Sequence, residues 1–237
     1  MAMPTMAETI HVATASNFSQ PLKLLAKSFE ENSSHTVRIS AASTGKLYAQ
    51  IKHGAPYHLF LAADQKRPEI LEKEGLAITN SRFTYAVGEL ALWAPQQQFT
   101  GEAKALISQT DIHRISIANP KIAPYGIAAR QTLKAMGLWE QLQGRLVQGE
   151  NIAQTYQFIA SGAAEMGFVA RSQLSEEAKT KGYYWAVPPN LHDPIRQDAV
   201  LLKRGADSPA AKAFLAFLRS ESAKEVIRAQ GYGLGDS

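Results

Sequence analysis

The sequence predicts an α/β protein of two lobes, each a mainly parallel sheet flanked by helices, with a cleft between them. Three observations predict it. Short apolar or alternating runs, which read as strands, alternate with stretches whose apolar residues recur at helical spacing. That order occurs twice, once before Gly88 and once after it. A further apolar run at 198–203 then offers a return crossover to the first set. The expected boundaries are 8–88 plus 200–237 for the first lobe and 89–199 for the second, with 1–7 as leader residues.

The first strand is read from Ile10 and Val12 alternating with His11, and the first helix from Leu22, Leu25, Ala26 and Phe29. Between them lies Thr14-Ala-Ser-Asn-Phe-Ser19, and Pro21 suits a first helical turn because its missing N–H would be unpaired there anyway. Thr36–Ser40 alternates as a second strand. Ala41–Gly45 forms a second junction, and the next helix places Leu47 and Ile51 on one face before Gly54. His58–Ala63 reads as a strand buried on both faces, with Asp64 able to cap the helix that contains Pro68, Ile70 and Leu71. Thr84–Pro95 is a longer β-like run interrupted at Gly88. Ile112–Asn119 leads into the third junction, Asn119-Pro-Lys-Ile-Ala-Pro-Tyr-Gly126, followed by a helix at about 127–136 that stops at Gly137. Arg145–Glu150 is the next strand, Asn151 and Ile152 the fourth junction, and Glu165–Ala170 another buried strand. Tyr183–Pro188 and Asp198–Lys203 follow as strands. A C-terminal helix carries Ala213, Phe214, Phe217 and Leu218 on its periodic face.

All four junctions fall at the C-terminal ends of strands, where open α/β sheets bind ligands. They carry hydroxyls, amides and bare backbone at helix starts, an arrangement that attracts an anion. A capping role alone explains any one of them; their fourfold recurrence points to an anion held by neutral donors. Tyr125 reads equally as a core aromatic or as an O–H donor.

Composition narrows the classes. The chain is 45% hydrophobic and 19% charged with a net charge of +4, and its Lys and Arg are scattered singly, which disfavours nucleic acid. No apolar run approaches the ~18 residues of a membrane span. The first nine residues have neither a basic nor an apolar signal-peptide segment, and three Met within six positions look like a leader joined to a mature chain. Without Cys there is neither disulfide nor thiolate chemistry. Ser43-Thr-Gly-Lys46 has the ending of a phosphate-binding loop, but Ser40 stands in place of its first Gly and Leu47 in place of its metal-binding hydroxyl. Gly231, Gly233 and Gly235 lack a following helix and read as a terminal loop. His11, His35, His53, His58, His113 and His192 are dispersed, so each reads as a surface or edge residue and no metal site is expected. No acid–base pair falls within the junctions, so no enzyme is expected.

From about Glu8 to Leu234 the chain resembles the periplasmic molybdate-binding proteins of ABC uptake systems. The resemblance is carried by ATASNF (13–18), STGKLYAQI (43–51), GAPYHLFLAAD (54–64), NPKIAPYG (119–126) and ENIAQTYQFIASGAAEMGFVA (150–170). It implies a type II periplasmic-binding-protein fold that holds molybdate or tungstate in the cleft, no cofactor, a membrane permease as partner, a monomeric state and a periplasmic location. It also implies a binding set of Ser16, Asn17, Ser43, Thr44, Tyr125 and Ile152. One branch of that family has Tyr where Ala170 stands here; this chain matches the other branch, with Tyr125, so no role falls to Ala170. A sulfate or phosphate receptor of the same fold, an oxyanion-processing transferase and the effector domain of a transcription regulator are the other readings of the same residues.

Overall fold

The computed structural model describes residues 6–235, so most of the leader reading at 1–7 lies outside the described residues. In chain order the elements are β1 (Thr9–Ala15), α1 (Ser19–Glu31), β2 (Thr36–Ala42), α2 (Thr44–Lys52), β3 (Leu59–Leu61), α3 (Lys66–Lys73) and β4 (Phe83–Gly88). There follow β5 (Leu90–Ala94), α4 (Ala103–Ser108), β6 (Ile115–Ala118), α5 (Pro124–Ala135), β7 (Leu146–Gly149), α6 (Ile152–Ala160), β8 (Met166–Ala170), α7 (Glu176–Thr180) and β9 (Tyr183–Ala186). The chain ends with β10 (Ile195–Leu201), α8 (Pro209–Phe217) and α9 (Glu221–Ala229). It divides into two compact units, one running to Val87 and resuming at Arg196, the other spanning Gly88–Ile195.

The first unit holds a sheet of order β2-β1-β3-β10-β4. β1 runs parallel to β2 from Thr9↔Thr36 to Ala15↔Ala42, and parallel to β3 through Thr14↔Leu61. β10 is antiparallel to β3, with Val200 opposite Phe60. Alternate residues serve the two faces, as the pleat requires. Ile10, Val12, Leu59, Leu61, Ala199 and Leu201 pack with α1, α8 and α9, whereas Ala13, Phe60 and Val200 pack with Leu47, Ile51 and Leu71 of α2 and α3. Cover on both faces is why these strands read as nearly continuous apolar runs.

The second unit repeats the order, β7-β6-β8-β5-β9. β6 is parallel to β7 and β8, and β5 is antiparallel to β8 and β9. Each sheet is therefore mixed: a parallel set that carries the βα junctions, extended by strands running the other way. Ala91, Trp93 and Val169 meet Ile159 of α6 on one face.

Several expectations are corrected. The C-terminal segment holds a second helix, α9, and the buried face of α8 is Ala210, Ala211, Phe214 and Leu215, with Ala213 exposed. His35 is neither exposed nor idle: it is buried, stacks on Phe29, and its Nδ1 accepts the Glu8 N–H at 3.2 Å. His58 is half-buried, and its Nδ1 accepts the His11 N–H at 3.0 Å. The glycines at 231–235 do close a terminal loop, but Gly233 pairs with Val87 and Tyr232 is buried in the first unit.

Candidate functional site

In the first unit the junctions are neighbours because their strands are paired to the last residue. Ala15 lies opposite Ala42, so Ser16 and Ser43 leave adjacent strand ends, about 4.8 Å apart in strand spacing. Ser16–Phe18 form a short 3-10 turn leading into α1, and the residue before it, Ala15, has no side-chain acceptor. The opening N–H groups of that turn therefore have no intrahelical or capping partner. Ser43 stands at the N-cap of α2 yet makes no capping bond. Its Oγ is fully buried and has no hydrogen-bond partner. An orphaned buried hydroxyl beside uncapped helix N–H groups is an unusual expense in a folded protein.

Thr44 is buried, and its Oγ1 accepts the Ala63 N–H at 3.1 Å. The hydroxyl thus ties α2 to the end of β3 and still has a hydrogen to donate. Asn17 behaves differently from the hydroxyl residues. Its Nδ2 donates to Gln197 Oε1 at 2.8 Å and to Tyr232 Oη at 3.1 Å, while the Tyr232 hydroxyl donates to the Asn17 carbonyl at 2.8 Å. With its side-chain donors turned inward, what Asn17 can offer an anion is its backbone N–H.

In the second unit, β6 and β7 end as the pair Ala118↔Gly149, and the Asn119 N–H donates to the Gly149 carbonyl at 2.8 Å. The start of α5 is pressed against the end of β6: a Cβ on Gly126 would lie 2.1 Å from the Ala118 carbonyl oxygen. Only glycine permits that approach, which sets the buried Tyr125 at the strand end. The residue before α5, Ala123, has no side-chain acceptor, and Pro124 has no N–H. At α6 the Asn151 carboxamide oxygen accepts from Ala153 N and Gln154 N at 3.0 and 3.1 Å. The cap occupies the second and third donors of the helix and leaves the first, the N–H of Ile152. Asn151 is a cap, and it aims Ile152 rather than competing with it.

Ser16, Asn17, Ser43 and Thr44 are thus gathered at one sheet edge, and Tyr125 and Ile152 at the corresponding edge of the other sheet. Ala170 is buried and gives its N–H to Gln173 Oε1 at 3.0 Å. Two acidic residues border the junctions. Glu150 precedes Asn151 and is exposed, and Asp64 follows β3, where its carboxylate accepts the Arg67 N–H at 2.9 Å and pairs with the Arg67 guanidinium. Among the described residues no group of His, Cys, Asp or Glu could hold a metal ion, and no helix is long and apolar enough to cross a membrane.

Sequence reasoning missed the polar residues beneath the first junction. Gln197 and Asp198, both fully buried, sit on β10. Gln197 Oε1 also lies 3.1 Å from the Tyr85 hydroxyl, and burial raises the Tyr85 pKa well above the usual phenol value. Asp198 accepts from Thr84 Oγ1 and from Arg82 Nη1, each at 2.6 Å, and that hydrogen bond raises the Arg82 pKa. The available signal was three consecutive polar residues, Arg196, Gln197 and Asp198, in an otherwise apolar strand, Ile-Arg-Gln-Asp-Ala-Val-Leu.

The sequence model of the bacterial extracellular solute-binding protein family matches residues 10–233. A molybdate-binding protein ModA from Azotobacter vinelandii is 48% identical over 99% of this chain and 93% of its own length. The ModA of Rhodobacter capsulatus is 44% identical over 98% and 91%. The solved structure of the Azotobacter vinelandii periplasmic molybdate-binding protein superposes with a TM-score of 0.90 at 40% identity, covering 96% of this chain and all of that one. The sulfate-binding protein of Mycobacterium tuberculosis, with a TM-score of 0.78 at 11% identity, shares the fold alone. On its matched length and these identities, the chain belongs to the bacterial extracellular solute-binding protein family and, within it, to the group of the ModA proteins.

Proposed function

We propose that this chain captures molybdate, with tungstate as an equivalent ligand, and delivers it to the membrane permease of an ABC transporter. It is a carrier and not an enzyme, and it acts in the periplasm as a monomer. The donors are the hydroxyls of Ser16, Ser43, Thr44 and Tyr125 together with backbone N–H groups at helix starts, those of Asn17 and Ile152 among them. The observation that carries the reading is Ser43 Oγ, a buried hydroxyl with no partner at an uncapped helix start. A dianion placed there repairs that loss and uses the neighbouring N–H groups at once. About six or seven charge-assisted hydrogen bonds, each worth roughly 1.5–3 kcal/mol, gross roughly 10–20 kcal/mol. After desolvation and ordering costs, micromolar to nanomolar affinity, about 8–12 kcal/mol, is within reach.

Calorimetric titration with molybdate, tungstate, sulfate and phosphate in parallel tests it. The expected result is tight, saturable binding of the first two with one anion per chain. Tighter binding of sulfate or phosphate than of molybdate would overturn the assignment.

A further inference from the structure

We infer that Tyr232 and Gln197 are positioning residues of the anion site: they lock Asn17 so that its backbone N–H alone faces the ligand, and they tie that lock to both chain crossings. The inference deepens the molybdate-binding reading and rests on it for the ligand, but the lock itself can be observed without ligand.

Tyr232 grips Asn17 at two points, donating to its carbonyl at 2.8 Å and accepting from its Nδ2 at 3.1 Å. The second Nδ2 hydrogen goes to Gln197 Oε1 at 2.8 Å. The peptide plane on the C-terminal side of Asn17 and the amide plane of its side chain are both fixed, which leaves its backbone little freedom. Phe18 wedges between the rings of Tyr85 and Tyr232, edge-on to both, at 4.6 and 5.3 Å between centroids. Asn17, Phe18, Tyr85, Gln197 and Tyr232 are all buried, so water does not substitute for a lost partner.

The same residues sit where the chain passes between the units. Gln197 directly follows Arg196, where the chain returns to the first unit. Tyr232 is held by its neighbour Gly233, which exchanges hydrogen bonds of 2.7 and 2.9 Å with Val87, the last residue before the chain leaves the unit. Gly231, at φ +81°, makes the turn that brings Tyr232 inward. The anion loop, the outgoing strand and the returning strand thus meet in one dry cluster. A cap for Asn17 alone would not need partners from both crossings.

Tyr232→Phe removes one hydroxyl and keeps the ring. Tyr183→Phe is its control: it removes the hydroxyl of a buried tyrosine in the other unit, one that bonds the Gly101 carbonyl and no member of this cluster. Two measurements are made on each variant and on the unsubstituted protein, namely molybdate titration and, without ligand, exchange of the Ser19 amide hydrogen, which donates to the Ser16 carbonyl and closes the turn around Asn17. Tyr232→Phe is expected to weaken molybdate binding about tenfold or more and to speed exchange at Ser19 by a similar factor. Tyr183→Phe should leave both within about twofold, whatever its effect on melting temperature. If Tyr232→Phe does not fold, Gln197→Met, which removes the other Nδ2 partner, takes its place with the same expectation. Unchanged exchange at Ser19, or equal losses of affinity in both Tyr variants, would overturn the inference. Failure of the unsubstituted protein to bind molybdate would overturn the functional reading instead, and the exchange measurement would still decide the lock.

Discussion

Replacing Ser43 by Ala separates two roles that one hydroxyl at a helix start can have. As an N-cap, a Ser oxygen accepts a hydrogen bond from a backbone N–H of the first turn, and its loss costs about 1 kcal/mol of stability, or roughly 2–4 °C in Tm for a chain of this size. Ser43 makes no such bond: its Oγ is buried and unpartnered. Removing an unpaired buried hydroxyl relieves a desolvation penalty and is worth between about 0 and 2 kcal/mol. The ligand-free Ser43→Ala protein should therefore melt at the same temperature or up to about 4–8 °C higher. With molybdate the sign reverses. A lost charge-assisted bond of roughly 1.5–3 kcal/mol weakens binding by about 10- to 150-fold. Thermal melting without ligand and calorimetry with it, on the same preparation, read the two effects. A lower melting temperature with unchanged affinity would show that the hydroxyl is a cap and that the anion lies elsewhere.

Thr44→Val should lower both quantities, because Thr44 Oγ1 also accepts the buried Ala63 N–H; an unpaired amide costs about 1–3 kcal/mol, seen as a fall in melting temperature that Ser43→Ala lacks. Phosphate should bind at least about tenfold more weakly than molybdate at pH 7, because it keeps a proton that donor groups cannot accept; displacement of molybdate by equimolar phosphate in a competition titration would show an acceptor in the site. Burial, with smaller contributions from His11 and Arg204, lowers the His58 pKa below its usual 6.5. The folded state then binds fewer protons than the unfolded chain below pH 6.5, so stability is full above that pH and falls as pH drops toward the folded value. His58→Asn keeps an acceptor for the His11 N–H and removes the titration, so urea midpoints at pH 7, 6 and 5 should fall less in this variant than in the unsubstituted protein.

The parallel strands and their helices were legible because they are buried on both faces: Leu59, Phe60 and Leu61, or Met166–Ala170, can be read from apolar continuity alone. The antiparallel members were not. Nothing local in β5 or β10 reports direction, which is set by where the chain re-enters a sheet. The junction residues were legible as a class, since hydroxyls and amides at strand ends stand out from sequence. Their division of labour was not, because it depends on partners far along the chain. Asn17 is bound to residues 180 and 215 positions away, and no window around Asn17 contains that information. Ser43 and Asn17 look alike in sequence as small polar residues at a helix start, yet one is orphaned and the other has no side-chain donor to spare.

That contrast bears on how a site of neutral donors can hold a dianion at all. A hydroxyl or an N–H offers an anion little that water does not, and water surrounds it without strain. Neutral donors gain over water only if they already point at the ligand and need no reorganisation when it arrives, the condition under which fixed dipoles exceed solvent in a dry site. A lysine or arginine would attract the anion from a distance, but on a flexible stem and with little regard to which anion it is. Here the rigidity comes from the scaffold. Strand pairing fixes the spacing of Ser16 and Ser43, the Asn151 cap leaves one helix donor at Ile152, and a buried cluster clamps Asn17. On the proposed reading Tyr232 and Gln197 act on the ligand without touching it, and a search for determinants confined to the contact residues would miss them.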